Sequence, residues 1–170
     1  MLARATEALP PRAELLPAVQ RVFETIGLAK VSTSAHDARA IGYLRDVDGV
    51  SMNRERVMWD AKAVALDLVR AGYQPPIRRR AVRVGGGGVR AALELGVHLA
   101  HRSGRISEYD VVIGRALAGV LAGGGVPHET TVSEQHLLDL EREAFLRLCG
   151  ERKTLERIQH TLKTGKPLRN

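Results

Sequence analysis

The stretch Ser133-Glu134-Gln135-His136-Leu137-Leu138-Asp139-Leu140-Glu141-Arg142-Glu143-Ala144-Phe145-Leu146-Arg147-Leu148 decides the fold. Leu137, Leu140, Ala144 and Leu148 recur at three and four residues, the period of one helix face. Glu134, Asp139, Glu141 and Glu143 fall off that stripe and read as the wet side of the helix, not as a catalytic acid and base. Ser133, just before the first periodic residue, is a helix N-cap.

The same grammar extends in both directions. Toward the C-terminus, Thr154 opens a last helix to Lys163, closed by Gly165 and Pro167. Upstream, Ser107 with Asp110 is an acidic capping pattern opening a helix to about Leu121, which runs out in Gly123-Gly124-Gly125. Val89 to His101 reads helical and is stopped by Gly104. Asn53 caps Arg54 to Ala71, ended by Gly72 and barred by Pro75 and Pro76, with Val57, Ala61, Val64 and Leu68 on one face. Ser34 and Asp37 open a short helix to about Leu44, and Arg45 to Val50 is a turn. The first helix is expected over Arg12 to Ile26, or from Pro17 if that proline marks its first turn. Six or seven amphipathic helices joined by Gly/Pro turns make the fold class all-α, with one short extended stretch near 81–84. The chain is expected to form one helical domain over 1–170, with 77–88 as a flexible internal connector.

Composition agrees. At 170 residues one domain is expected, able to hide roughly 70% of its unfolded surface. Apolar residues make up 44% and charged residues 26%, which argues against wholesale disorder. Only 4% are aromatic, so the core must come from Leu, Val, Ile and Ala, a composition that favours helices over a β-sandwich. The net charge of +7 permits contact with phosphates without demonstrating it. The single Cys149 excludes an internal disulfide framework. No run of about 18 apolar residues could span a membrane. Met1 to Pro11 has no apolar h-region, so no secretory signal is expected and the expected address is the cytoplasm.

Few residues suggest chemistry. Gly86-x-Gly88-x-x-Ala91, after a β-like stretch and before a helix, formally matches a dinucleotide fingerprint. No second strand follows, however, and four consecutive glycines read as a flexible hinge. His98 and His101 share a helix without a third metal ligand. Cys149 lies at a helix end and reads as an inert thiol. Arg78, Arg79, Arg80 and Arg83 form a basic cluster without interleaved aromatics, closer to a solvated loop than to a nucleic-acid patch. Lys163, Lys166 and Arg169 could reach a phosphate, or simply complement a helix dipole.

Longer stretches carry a resemblance. Phe23-Glu24-Thr25-Ile26, Ala29 to Ala35, Ala40-x-Gly42-Tyr43-Leu44, Asp60-Ala61-Lys62 and Ala71 to Pro76 resemble the later part of an enoyl-CoA hydratase (crotonase) domain. Ser133-Glu134-Gln135, Leu138 to Phe145 and Lys153-Thr154-x-x-Arg157-Ile158 belong to the ending of the chain, which carries a second resemblance. The ending Thr164-Gly165-Lys166-Pro167-Leu168-Arg169-Asn170 is similar to that of bacterial multifunctional 3-hydroxyacyl-CoA dehydrogenases that carry the hydratase-like domain last. The resemblance implies fatty-acid β-oxidation, with acyl-CoA substrates and NAD used by the full-length enzymes. It implies that the NAD-binding and hydratase motifs lie upstream, so no catalytic residue and no bound cofactor is assigned to this chain. What remains would cover an acyl-CoA site, dock to an upstream catalytic half or a separately encoded partner, and self-associate. In that setting Lys163, Lys166 and Arg169 are the candidate contacts to CoA phosphates or to a neighbouring subunit. The competing expectation is a free-standing basic helical module for an acidic partner or nucleic acid.

Overall fold

A computed structural model describes all residues, Met1 to Asn170. Eight helices and one short two-stranded sheet account for the ordered elements: α1 Leu2–Glu7, α2 Leu16–Gly27, α3 Ala35–Ile41, α4 Val57–Arg70, β1 Val82–Val84, α5 Gly86–Arg102, α6 Glu108–Leu121, β2 Thr130–Val132, α7 Glu134–Cys149 and α8 Arg152–Thr164. The all-α expectation holds. The extended stretch near 81–84 is a strand, paired antiparallel to β2 with Val82 opposite Val132 and Val84 opposite Thr130.

Three serines do what their spacing predicts. The hydroxyls of Ser34, Ser107 and Ser133 accept from the amides of Asp37, Asp110 and His136. At Ser107 the Asp110 carboxylate also accepts from the Ser107 amide, completing a reciprocal capping box. Asn53 caps too, but what it opens first is a 3-10 turn, Arg54–Arg56, from which α4 continues. Helix α2 starts at Leu16 with a proline in its first turn, so the later of the two expected starts is right. Helix α1 and strand β2 escape sequence reading because six and three residues are too few to show a period.

The chain divides into two compact units, residues 1–30 with 79–170, and residues 31–78, where a single domain is expected from length. In the larger unit α5 and α6 pack as neighbours, α7 packs on α6, α2 lies against both α5 and α6, and α1 meets α2 and β1. Its core is Leu2, Leu15, Val19, Val22, Val84, Leu93, Ala118 and Leu121, without an aromatic ring among them. The buried hydroxyls of Thr6 and Thr25 donate to main-chain carbonyls of their own helices, at Leu2 and Arg21, so neither is left unpaired.

The unit 31–78 is different. Ala38 is its one buried residue, and no side chain of α4 is buried. Local polar contacts run through it. Asp37 accepts from Thr33, Arg39 donates to the Asp48 carbonyl, Arg45 pairs with Asp48 at 2.7 Å, and the Ser51 hydroxyl donates to Asp60 at 2.6 Å. Met58, Trp59, Val64, Leu68 and Val69 all stand exposed, Trp59 at 70%.

The glycine run is not the flexible connector expected over 77–88. Strand β1 leads into Gly85 and Gly86, which are buried, and Gly86 is the first residue of α5. Gly86 sits at φ +61°, and a Cβ there would stand 2.5 Å from the His128 carbonyl oxygen. Glycine is required because another stretch of backbone passes against it, which is packing, not slack.

Candidate functional site: a C-terminal clamp and its basic tail

The N-terminus of α6 and the first turns of α8 meet in a cluster of polar side chains. Tyr109 follows the Ser107 cap and is buried, with its hydroxyl 2.6 Å from the Thr154 hydroxyl. Above its ring lie the Arg157 guanidinium, 5.2 Å from the centroid, and the Lys153 ammonium at 5.8 Å, both within cation–π range. Arg157 donates to the Asp110 carboxylate at 2.7 Å, to Asn170 Oδ1 at 2.8 Å, and to the Asn170 main-chain oxygen at 3.3 Å. That same main-chain oxygen accepts from the Ser107 hydroxyl at 3.1 Å. The Asn170 amide nitrogen donates to Glu156 at 3.0 Å.

Local sequence explains how Asn170 arrives there. Gly165 adopts φ +68° and its amide bonds the Thr161 carbonyl, ending α8 in a left-handed cap. The Thr164 hydroxyl accepts from the Lys166 amide at 3.2 Å, shaping the exit. Residues 166–170 then return to Lys153, Glu156 and Arg157. Partial burial pushes the Asp110 carboxyl upward. The Ser107 amide, the Arg157 guanidinium and the Ser107 hydroxyl outweigh it and hold the carboxyl below its ordinary value.

The predicted contacts Lys163, Lys166 and Arg169 ride on this clamped tail. All three are exposed and make no hydrogen bond or ion pair through their side chains. Lys163 is in the last turn of α8, and Lys166 and Arg169 follow the glycine cap. Sequence reading missed the residues that hold the tail. The signal was present in Lys153-Thr154-x-x-Arg157 and the closing Asn170, whose roles depend on Asp110, 47 residues before Arg157.

The remaining candidates are placed as follows. The Gly86 amide donates to the Ala122 carbonyl at 3.0 Å and the Gly87 amide to the Pro127 carbonyl at 3.2 Å. Those are the amides a pyrophosphate would need, and the adjoining sheet has two antiparallel strands, so this turn lacks the geometry of a dinucleotide-binding fingerprint. In the basic cluster, Arg79 pairs with Glu7 and Glu134, and its guanidinium is held more firmly charged by the Glu7 hydrogen bond. Arg83 donates to the Pro10 and Ala13 carbonyls and pairs with Glu129 at 2.8 Å. Two of the four arginines therefore tie segments of the chain together. His98 is exposed and His101 half-buried on α5, and no three or more His, Cys, Asp or Glu side chains converge on a metal-sized site. Cys149 is a half-buried free thiol. No helix is long and apolar enough to cross a membrane.

Against known proteins, the chain is 48% identical over 153 residues to a probable 3-hydroxyacyl-CoA dehydrogenase of Bacillus subtilis (strain 168). The match takes in 90% of this chain but only 19% of that protein, so the chain spans about a fifth of its relative's length. No protein-family model matches the chain, and no solved structure matches it.

Proposed function

We propose that this chain is a helical segment of a 3-hydroxyacyl-CoA dehydrogenase with a crotonase-like hydratase half, working in cytoplasmic fatty-acid β-oxidation. In this reading it covers an acyl-CoA site whose reacting groups belong to other stretches of polypeptide. NAD and the hydratase chemistry would be served there, and this chain would supply the cover and the docking surface. The similarity to about a fifth of a probable 3-hydroxyacyl-CoA dehydrogenase carries the reading. The exposed apolar face of α4 supports it, because a helix with Val57, Val64 and Leu68 in water needs something to pack against.

The basic tail is the proposed point of contact with substrate or subunit. Lys163, Lys166 and Arg169 are cations without internal partners, so nothing in the chain competes with an anion for them. Phosphates of CoA, or acidic groups of a neighbouring subunit, fit that description. In the complete enzyme, replacing all three by Ala is expected to raise KM for acyl-CoA severalfold with little change in kcat, because the tail would bind ground and transition states alike. An unchanged KM rejects the substrate contact. The purified chain alone is expected not to hydrate crotonyl-CoA, and turnover by it would overturn the reading altogether.

A further inference from the structure

A second basic feature lies away from the tail. Arg90 of α5, Arg115 of α6 and Arg147 of α7 line one cleft of about 350 Å³, with Val112, Ala116 and Leu148 as its apolar surface and Glu151 at one wall. Val112, Arg115, Ala116 and Gly119 repeat at three and four residues along α6, so they share one face. The Arg90 guanidinium carbon is 4.0 Å from where a Cβ on Gly119 would stand. Arg115 precedes Gly119 by four residues, and such positions are separated by about 5–6 Å on a helix surface. Arg90 therefore lies over α6 within about one turn of the root of Arg115, and the missing side chain at Gly119 leaves it room.

The charges are not balanced within the cleft. Arg90 pairs with Glu94 at 2.7 Å. The side chains of Arg115 and Arg147 have no hydrogen bond and no ion pair. Counting Glu94 and Glu151, three guanidiniums face two carboxylates. Like charges that line one cleft favour an anion placed among them.

We propose that this cleft binds an organic phosphate of nucleotide size. Guanidinium forks arriving from three helices suit a tetrahedral phosphate, whose oxygens point in several directions, better than a planar carboxylate. The apolar wall of Val112, Ala116 and Leu148 gives the organic part of the ligand a surface to lie on, and the volume is at the small end of the range for such sites. None of Lys163, Lys166 and Arg169 lines the cleft, so the proposal does not rest on the role given to the tail.

The test is calorimetric titration of the full chain at low salt with ADP and, separately, with inorganic phosphate. ADP is expected to bind, and inorganic phosphate to compete with it more weakly. The double substitution Arg115→Gln and Arg147→Gln is expected to weaken ADP at least tenfold, whereas Lys163→Gln, Lys166→Gln and Arg169→Gln together leave it within twofold. Both cleft arginines are exposed and unpaired, so the helical circular dichroism should be unchanged. The single reversal Arg115→Glu gives a second reading with Arg147 intact. Absence of ADP binding, equal binding by the double variant, or equal loss in the tail variant overturns the proposal. Binding of inorganic phosphate without ADP overturns its organic part.

Discussion

Arg157 is the residue on which most of the C-terminal structure converges. Its side chain is 19% exposed and Asp110's is 24%, so their 2.7 Å contact is screened more weakly than the more exposed ion pairs Arg90–Glu94 of α5 and Arg152–Glu156 of α8. Removing one partner leaves the other charge partly buried and unmatched. Arg157→Ala is therefore expected to cost about 2 kcal/mol in urea unfolding at pH 7, against under about 0.5 kcal/mol for Arg152→Ala at an exposed pair. The Asp110 carboxyl titrates below its unfolded value, so the unfolded chain binds its proton first as pH falls. Its contribution is complete above about pH 5 and is lost as pH drops through the lowered value. Urea midpoints should fall between pH 5 and pH 3 in the native sequence, and Asp110→Asn should flatten that part of the curve. An equally steep fall in Asp110→Asn would show that other carboxyls carry the acid sensitivity. The Ser107–Asp110 cap is legible because both partners lie within one helical turn. Arg157 is not, because its partners come from α6 and from the tail, and nothing local in Lys153-Thr154-x-x-Arg157 says which acid it will meet.

At the scale of elements, the instructive case is the β1–α5 junction. Four glycines in a row read as a hinge because glycine lacks conformational preference, and that inference ignores what packs on them. Gly86 is buried at φ +61° under the His128 carbonyl, while Gly88, two residues on in the same helix, is exposed with nothing within 4 Å of its would-be Cβ. The two positions should therefore respond in opposite directions to one added methyl group. Gly86→Ala must adopt a left-handed backbone and push against a neighbouring main chain, a cost of roughly 3 kcal/mol or more. Gly88→Ala trades a flexible residue for the best helix former and should gain about 0.5–1 kcal/mol. Thermal melts of the two variants check this, and equal small effects would restore the hinge. The contrast also marks what periodicity can and cannot reveal. The capped helices α3, α6 and α7 announce themselves by Ser34, Ser107 and Ser133. Strand β2, three residues of Thr-Thr-Val, declares itself only once Val82 and Val84 have a partner.

For the whole chain, the decisive quantity is surface. Much of the apolar part is in residues 31–78, where α4 meets no core of its own. The sequence made α4 plain as an amphipathic helix, with Val57, Ala61, Val64 and Leu68 in register, but an apolar stripe does not say whether its cover lies in the same chain. Val64 and Leu68 stand exposed, so the docking role proposed for α4 predicts that the chain associates. The purified chain at tens of micromolar is expected to scatter light as a species heavier than 18.5 kDa. Val64→Glu with Leu68→Glu should return it toward the monomer mass, since each carboxylate would have to be desolvated for the stripe to stay covered. Both residues are exposed, at 57% and 45%, so the substitutions remove no internal packing and the helical signal should survive. A native chain that stays monomeric at 100 micromolar or so would mean that the exposed stripe is tolerated in water, and the docking role given to α4 would lose its physical basis.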